Sequence, residues 1–355
     1  MLKFGEWCVE SQVGIQQGDP LGPLLFCLSI HPLLMSLSSD LIVGFLDDIT
    51  LGGSQDSVSD DVRAIMAGGL DLGLQLNISK CELVSRTEIS LDDTTLSSFQ
   101  RLDFGQSTLL GAPLTTGVAM DSSFSSRIAD LKRAALRLKP LASHDALTLL
   151  RFSLSAPRLM HSLRASPSFG NPLLLDFDST LRDCLYSVVN ADLSDQQWIQ
   201  ASLPVCLGGL GIRLVSHLAP SAFLASALST RQLQDAILLH CTVPPDVSVD
   251  RALSFWSSGR NLVAPPPISA GRQRSWDTPL VQFEHSHLVA SLPNAIDRAR
   301  LLAVSAPRSS DWLHALPIVS CGLFLDDEAV RVAVSFRLGV VRGFANLTLA
   351  PAGSC

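Results

Sequence analysis

The sequence predicts an α+β fold, in which a short unit of strands and helices precedes a longer region that is mostly helical. Two observations support this class. Short apolar runs alternate with amphipathic stretches up to about residue 115, whereas helical spacing of leucine and alanine dominates from about residue 122. The 355 residues are 47% hydrophobic and 17% charged, a composition that disfavours disorder and allows two or three domains with buried cores.

The N-terminal unit is predicted to contain six elements. Two apolar runs flank an Asp-Asp pair closely enough to form a β-hairpin, and Pro23 is tolerated in the first turn of the helix before them. Ser57 is a candidate N-cap for the next helix. In order, the sequence predicts a strand over 7–14, a helix over 22–38, strands over 41–45 and 49–51, a helix over 54–70 and a strand over 74–78.

Helical patterns dominate the rest of the chain. Helices are predicted up to Pro140 and again up to Pro157, and Pro204–Gly211 breaks the pattern later on. The glycines of that break favour a tight turn with positive φ, and they carry no assignable chemistry. The proline-rich segment 264–275 is predicted to be a linker.

Several classes of protein are excluded or disfavoured. The most apolar stretch, Leu21–Leu37, is short and interrupted by prolines, so we expect a buried core helix and no membrane span. No basic start precedes a long apolar run, so no secretion signal is expected. The eight cysteines include no C-x-x-C pair, which excludes a zinc site of that spacing and fits a reducing intracellular compartment, the cytoplasm or the nucleus.

Charge is unevenly distributed along the chain. The net charge is −7 overall, but residues 1–125 hold 5 basic and 16 acidic side chains, whereas residues 126–164 hold 8 basic and 2 acidic ones. The basic segment is either a solvated helix face or a surface for a nucleic-acid backbone. The candidate backbone contacts are Arg127, Lys132, Arg133, Arg137 and Lys139.

The turn of the predicted hairpin carries the sharpest chemical signal. Asp47 and Asp48 would repel each other unless a cation binds there, and carboxylate oxygens suit Mg²⁺. Strand alternation sends neighbouring side chains to opposite faces, so we expect one carboxylate, Asp47, to do most of the metal binding. Taken alone, an Asp-Asp turn also fits an ordinary solvated loop.

Three more motifs surround this turn in order. They are Gly14–Phe26 (GIQQGDPLGPLLF), Gly73–Glu82 (GLQLNISKCE) and Leu109–Leu114 (LLGAPL). Together with Phe45-Leu46-Asp47-Asp48, they resemble the reverse transcriptases of non-LTR (LINE-type) retrotransposons, beginning just before the QGDP motif. The resemblance implies a partial right-hand polymerase palm over 1–118, with helices packed on an antiparallel sheet, then a helical thumb over 119–200 and a C-terminal helical region over 201–355.

The resemblance also implies roles for individual residues. Asp47 and Asp48 would bind Mg²⁺ or Mn²⁺, and Lys80 would neutralise or protonate pyrophosphate, although a plain surface lysine is the alternative. The partners would be an RNA template, a DNA primer and dNTPs. Template and nucleotide contacts fall on Gln17, Gly18, Asp19, Pro20 and Phe45, and the primer grip falls on Leu110 and Gly111.

One expected element has no counterpart in this sequence. Palm polymerases also use an aspartate on a strand before the QGDP motif, and only Glu6 and Glu10 are acidic there. We therefore expect a fragment of a longer polyprotein, with further segments as partners, that polymerises poorly by itself, so its status as an enzyme is open. The alternatives are a non-catalytic remnant that binds nucleic acid and an unproductive product of a broken element.

Overall fold

The structure is a computed structural model that describes residues 2–9, 14, 18–85, 87–88, 94–239 and 247–340. The chain forms two compact units. The first comprises Met1–Phe104 with Gln232–Pro245, and the second comprises Gly105–Arg231 with Asp246–Cys355. Within the described residues, no helix is long and apolar enough to cross a bilayer.

The described residues of the first unit up to Phe104 form small sheets and two α-helices. Strands β1 and β2 pair antiparallel, β3 and β4 form an antiparallel hairpin, and β5 and β6 pair in parallel. Its elements are β1 (Leu2–Phe4), β2 (Trp7–Val9), α1 (Gly22–Met35), β3 (Leu41–Phe45), β4 (Asp48–Gly52), α2 (Gln55–Asp71), β5 (Glu82–Val84) and β6 (Gln100–Leu102).

Two leucines of α1 join it to its neighbours through glycines. A Cβ at Gly44 of β3 would lie 2.6 Å from Cδ1 of Leu34, and one at Gly68 of α2 would lie 2.8 Å from Cδ1 of Leu33. Both leucines therefore occupy space that a side chain would otherwise fill. The hairpin and α2 thus contact α1 closely at these two points.

A buried carboxylate fixes the connection between α1 and β3. Asp61 of α2 accepts backbone N–H bonds from Ser38, at 2.9 and 3.0 Å, and from Ser39, at 2.6 Å. Burial by itself raises the pKa of this carboxyl, but the hydrogen bonds from both serines outweigh it, and the pKa of Asp61 lies below its usual value. The loop before the hairpin is therefore held by a residue 22 positions further along the chain.

The second unit begins with a two-stranded hairpin and continues as helices. Its strands are β7 (Thr108–Leu109) and β8 (Ala112–Pro113). The helices are α3 (Val118–Leu138), α4 (Ser143–Leu149), α5 (Met160–Ala165), α6 (Pro172–Val189), α7 (Asp195–Ser202), α8 (Val215–Ser229), α10 (Val247–Ser257), α11 (Pro267–Ala270), α12 (Gln273–Ser291), α13 (Ala295–Val304) and α14 (Asp327–Leu338); α9 (Arg231–Ile237) lies at the boundary of the units.

The core of the second unit forms where its longer helices meet. Helix α3 packs against α6, and α8 packs against α5, α10 and α12. Phe124 and Phe177 are almost fully buried in the main cluster. A second cluster contains Trp256 and Trp276, whose rings meet edge to face at 5.1 Å, and each indole N–H donates to a backbone carbonyl.

The glycine-rich segment Leu203–Arg213 encloses a buried arginine. Gly208 and Gly211 have φ of 81° and 77°, so the predicted positive-φ turn is confirmed. Arg337 of α14 donates to the carbonyls of Gly209 and Val205 and to the hydroxyl of Ser310. Burial, and then the neighbouring guanidinium of Arg151, lower the pKa of Arg337 to about 10. The segment thus supplies hydrogen-bond acceptors to a guanidinium group that is buried away from water.

Several predicted elements are confirmed. The hairpin has the expected strands, with β4 longer by one residue at each end, and the helix over 22–38 ends earlier, at Met35. Helix α3 ends before Pro140 as expected. The structure describes the predicted strand over 7–14 only in part, as β2, since residues 10–13 lie outside the described ones.

Other predictions are wrong. Residues 74–77 form no strand, because no partner strand pairs with them among the described residues, and a 3₁₀ turn follows over Ile78–Lys80. The N-cap of α2 is Ser54, whose side chain accepts from the Ser57 N–H. The expected single antiparallel sheet is instead four two-stranded sheets, one of them parallel, within the described part of the chain.

Burial and packing also depart from expectation at two sites. Helix α1 is not the buried helix that its composition predicts, since Leu28 is 59% exposed and Met35 is 72% exposed. In the predicted linker over 264–275, the short helix α11 packs against α8. The carbonyl of Ala270 at its end accepts the Trp276 indole N–H, so this segment is anchored to a core cluster.

We predict that Gly209→Ala strongly destabilises the second unit. A Cβ at Gly209 would lie 2.0 Å from the Leu203 carbonyl oxygen and 2.7 Å from that of Gln200, so the backbone around Arg337 would have to move. We expect the free energy of unfolding to fall by about 3 kcal/mol in urea denaturation. Gly105→Ala is the control, because its Cβ would meet nothing closer than 3.7 Å. Equal stability of the two variants would contradict the prediction.

Candidate functional site

The Asp-Asp motif lies at a two-residue turn between β3 and β4. Phe45 pairs with Asp48, and Leu46 and Asp47 form the turn. Leu46 has φ of 57°, in a region that glycine usually occupies, whereas Asp47 is not among the positive-φ residues. A leucine in the left-handed region costs about 1 kcal/mol or more, and strain of this kind is concentrated at functional sites.

The register of the hairpin gives its two faces different roles. Gly44 and Ile49 share the face on which Leu34 of α1 packs. Phe45 and Asp48 share the opposite face, and Phe45 is 56% exposed. Asp47 in the turn is also exposed. The packed face therefore supports the hairpin, and the other face leaves an aromatic ring and both carboxylates accessible.

The two carboxylates fit a hard divalent cation by donor type. Mg²⁺ binds oxygen ligands and commonly takes one or two carboxylates together with phosphate oxygens of a substrate. Asp47 and Asp48 would supply those carboxylates. Among the residues that the structure describes, no third acidic, histidine or cysteine side chain completes a metal-binding group.

The described residues of the QGDP motif form the turn that enters α1. Gly18 has φ of 94°, and the Asp19 carboxylate accepts the backbone N–H of Leu21 at 2.9 Å. The Asp19 carbonyl accepts the N–H of Gly22 at 3.0 Å. Asp19 thus has a structural task at the start of the helix, and Pro20 is exposed beside it. Gln17 lies outside the described residues.

Lys80 ends the short 3₁₀ turn after α2 and is exposed. In the described part of the chain, its ammonium group forms no ion pair with Asp47, Asp48 or any other carboxylate. The side chain is therefore free to move toward a bound anion. The structure does not bring it into contact with the carboxylates of the hairpin.

The predicted primer grip is a tight turn in the second unit. Leu110 and Gly111 have φ of 49° and 77°, as in a type I′ hairpin turn, and they join β7 to β8. Two side chains of the helical region hold this hairpin. Nε2 of His161 on α5 lies 3.1 Å from the Leu110 carbonyl oxygen, and the buried hydroxyl of Ser166 donates to the Pro113 carbonyl at 2.5 Å.

The basic side chains of α3 are exposed, but they do not form one line. Helical geometry places Lys132 and Lys139 on one stripe beside the buried face, and Arg133 and Arg137 on another opposite it. Asp130 forms ion pairs with Arg127 and Arg133. Within the described residues, three of the five predicted backbone contacts remain without an acidic partner, namely Lys132, Arg137 and Lys139.

Comparison with protein families supports part of this assignment. Residues 8–108 match the model of the family described as reverse transcriptase (RNA-dependent DNA polymerase). This segment is therefore similar to reverse transcriptase domains. The matched residues include the hairpin, the QGDP motif and Lys80, whereas Leu110, Gly111 and α3 lie outside them. No curated protein matches the chain.

The sequence analysis missed residues that act over long distances along the chain. His161 and Ser166 hold a turn about 50 residues earlier, and Asp61 holds the loop before the hairpin. Neither a lone histidine nor a serine near a helix end forms a motif. A buried acid in an amphipathic helix was the one available signal, because it requires hydrogen-bond donors nearby.

We predict that His161→Ala loosens the Leu110-Gly111 turn. Loss of the hydrogen bond to the Leu110 carbonyl should speed hydrogen exchange of the amides over 108–113 by about fivefold, since one such bond contributes about 1 kcal/mol. His161→Gln retains a donor and should restore part of the protection. His314→Ala removes an exposed histidine of the same unit and serves as the control. Unchanged exchange in His161→Ala would refute this role.

Proposed function

We propose that the chain is a segment of an RNA-directed DNA polymerase of the non-LTR (LINE) retrotransposon type. Residues 8–108 would supply part of the palm, and the helices from α3 onward would supply the thumb and a C-terminal region. The observation that carries the proposal is the β3–β4 hairpin, because it lies inside the reverse transcriptase match and exposes Asp47 and Asp48 at a strained turn.

The carboxylates would hold Mg²⁺ or Mn²⁺ next to the end of the primer. When bound in a two-metal arrangement, such ions help to deprotonate the attacking 3′-hydroxyl and stabilise the charge on the leaving pyrophosphate. Asp47 and Asp48 contribute the negative charge and the oxygen ligands for this arrangement. Their position at a short turn keeps both groups on one rigid element, which favours a defined geometry.

Other residues would position the substrates. Phe45 offers an exposed ring on the face of Asp48, where it can contact the incoming dNTP or the template. Lys80 would neutralise negative charge on pyrophosphate or donate a proton to it. The turn at Leu110 and Gly111 would approach the primer backbone. Both residues have positive φ, and Gly111 has no side chain that would block a close approach.

The helical unit would hold the RNA–DNA hybrid through its basic surface. Lys132, Arg137 and Lys139 remain unpaired in the described residues, and each can neutralise a backbone phosphate without reading sequence. The acidic N-terminal part carries the opposite charge. In this proposal, the helices would contact phosphates and the carboxylates of the hairpin would bind the metal.

A non-catalytic function in nucleic-acid binding is the second candidate. The described residues supply two carboxylates at the hairpin and no three-residue metal group. Under the main proposal, a third carboxylate comes from another segment of the parent polyprotein, and this chain by itself incorporates dNTPs poorly. Under the second candidate, the hairpin takes no part in catalysis in any context.

We predict that Mn²⁺ binds at the hairpin and that Asp47→Asn abolishes this binding. In NMR spectra of the full chain, Mn²⁺ should broaden the amide signals of Phe45 to Ile49 first, because the ion is paramagnetic and the two carboxylates share one turn. Asp56→Asn removes an exposed carboxylate at the start of α2 and is the matched control. Broadening that is equal in both variants would favour the non-catalytic candidate.

A primer-extension assay on an RNA template tests the catalytic part of the same prediction. We expect weak incorporation of dNTPs by the wild-type chain with Mn²⁺ and none by Asp47→Ala. Robust incorporation by the wild-type chain that Asp47→Ala abolishes would refute the need for a further carboxylate. It would at the same time support the polymerase assignment.

We predict that Arg137→Gln weakens binding of an RNA–DNA hybrid. Loss of one phosphate contact should lower the slope of log K against log salt by about 0.7 to 0.9. Arg251→Gln, on α10, removes the same charge from an exposed site outside α3 and should leave the slope unchanged. Fluorescence anisotropy over a salt series measures both variants. Equal slopes for both variants and the wild-type chain would exclude Arg137 from the interface.

A further inference from the structure

A small pocket of the second unit lies at the end of the basic helix α3. It encloses about 250 Å³, including space open to solvent, and α4, α6 and α14 contribute its other walls. Two cations, Lys139 and Arg331, line it together with the hydroxyls of Ser143 and Ser187 and four apolar side chains.

The cations of this pocket lack partners in the described residues. Nε of Arg331 is buried and has no hydrogen-bond acceptor, and neither Arg331 nor Lys139 forms an ion pair there. Two acidic residues precede Arg331 on α14, Asp327 and Glu328, and neither forms an ion pair with Arg331 in the described part of the chain. The Asp327 carboxylate accepts the backbone N–H of Ser143 at 2.7 Å. A buried guanidinium nitrogen without an acceptor is costly, so the pocket is suited to a ligand that supplies one.

The hydroxyls of the pocket have already used their protons. Ser143 donates to the Val188 carbonyl at 3.2 Å, and Ser187 donates to the Asp183 carbonyl at 3.1 Å. The donors still available are therefore the ammonium and the guanidinium. Such a set selects an acceptor-rich anion, and a guanidinium in particular matches the oxygens of a phosphate group.

The end of α3 does not oppose an anion strongly. Carbonyls at the C-terminus of a helix would repel it, but the Leu138 carbonyl accepts the N–H of Leu141 at 3.0 Å. The Val188 carbonyl near the end of α6 accepts the Ser143 hydroxyl. These two carbonyls already have hydrogen-bond donors, which reduces their repulsion of a negative ligand.

We infer that this pocket binds one phosphate group of a nucleic-acid backbone, held between Lys139 and Arg331. The inference rests on the proposed function, and it adds α14 to the proposed interface. The position of Lys132 favours a backbone phosphate as the ligand rather than a free anion. Lys132 precedes Lys139 by seven residues on the same stripe, about 10 Å along the helix, so a polyanion could contact both side chains. A polyanion that runs along this stripe would end in the pocket.

A double-mutant cycle tests whether the two cations share one phosphate. Lys139→Gln and Arg331→Gln should each weaken binding of an RNA–DNA hybrid about fivefold, and together only about tenfold, because the second change acts on a contact already weakened. Arg331→Lys keeps the positive charge but not the planar pair of guanidinium donors. On a logarithmic scale, it should weaken hybrid binding about half as much as Arg331→Gln does. Arg251→Gln is the charge control, and circular dichroism confirms that each variant is folded.

If the double variant binds the hybrid about twenty-fivefold more weakly than the wild-type chain, the two cations act independently and the shared pocket is overturned. The shared pocket is also overturned if neither variant binds more weakly than Arg251→Gln. In that second case, tight binding by the wild-type chain would leave the proposed function intact, whereas a wild-type chain that binds no hybrid would overturn both proposals. Inorganic phosphate provides a second test at constant ionic strength. If phosphate raises the melting temperature of the wild-type chain while the variants bind hybrid normally, the pocket holds a free anion and the nucleic-acid assignment fails.

Discussion

Packing in the helical unit depends on one buried guanidinium group, because that group requires hydrogen-bond acceptors around it. Arg337 is 3% exposed, and backbone carbonyls and a hydroxyl satisfy it. Gln200 donates to the carbonyls of Gly208 and Arg337, and Arg300 also donates to the Arg337 carbonyl, so α7, α13 and α14 meet around one residue. A glycine-rich segment suits this position because its carbonyls can converge where a Cβ would collide with the backbone. The glycines thus contribute acceptors to packing and need no catalytic role.

A second constraint recurs at the two turns assigned to chemistry. Leu46 and Leu110 are two of four described non-glycine residues with positive φ, and each lies at the tip of a two-residue hairpin. The first turn carries the carboxylates, and the second is the turn that we propose contacts the primer. In both, the surrounding contacts maintain a backbone that leucine does not favour: Leu34 packs on the first hairpin, and His161 and Ser166 hold the second. Each candidate site is therefore a strained turn with a separate support.

The sequence predicts local features well and long-range contacts poorly. The hairpin and α3 follow from patterns within about 20 residues, because turn chemistry and amphipathic spacing act locally. Residues 74–78 alternate like a strand but form none, since a strand requires a partner that a local pattern does not supply. The prediction that α1 is buried is wrong for a similar reason, because apolar composition alone does not determine which element packs over a helix. The metal-binding role of Asp47 remains a prediction.

The two-residue turn has a consequence for how this motif tolerates change. Its register pairs Phe45 with Asp48 and places both opposite the face that α1 covers. Because side chains alternate along a strand, one residue inserted into β4 before Thr50 would turn the rest of that strand over and place Thr50 on the face that Leu51 occupies. Substitutions within the turn change chemistry at a fixed position, whereas a change of length relocates every later side chain. Chain length between the strands is therefore under a stricter constraint than residue identity.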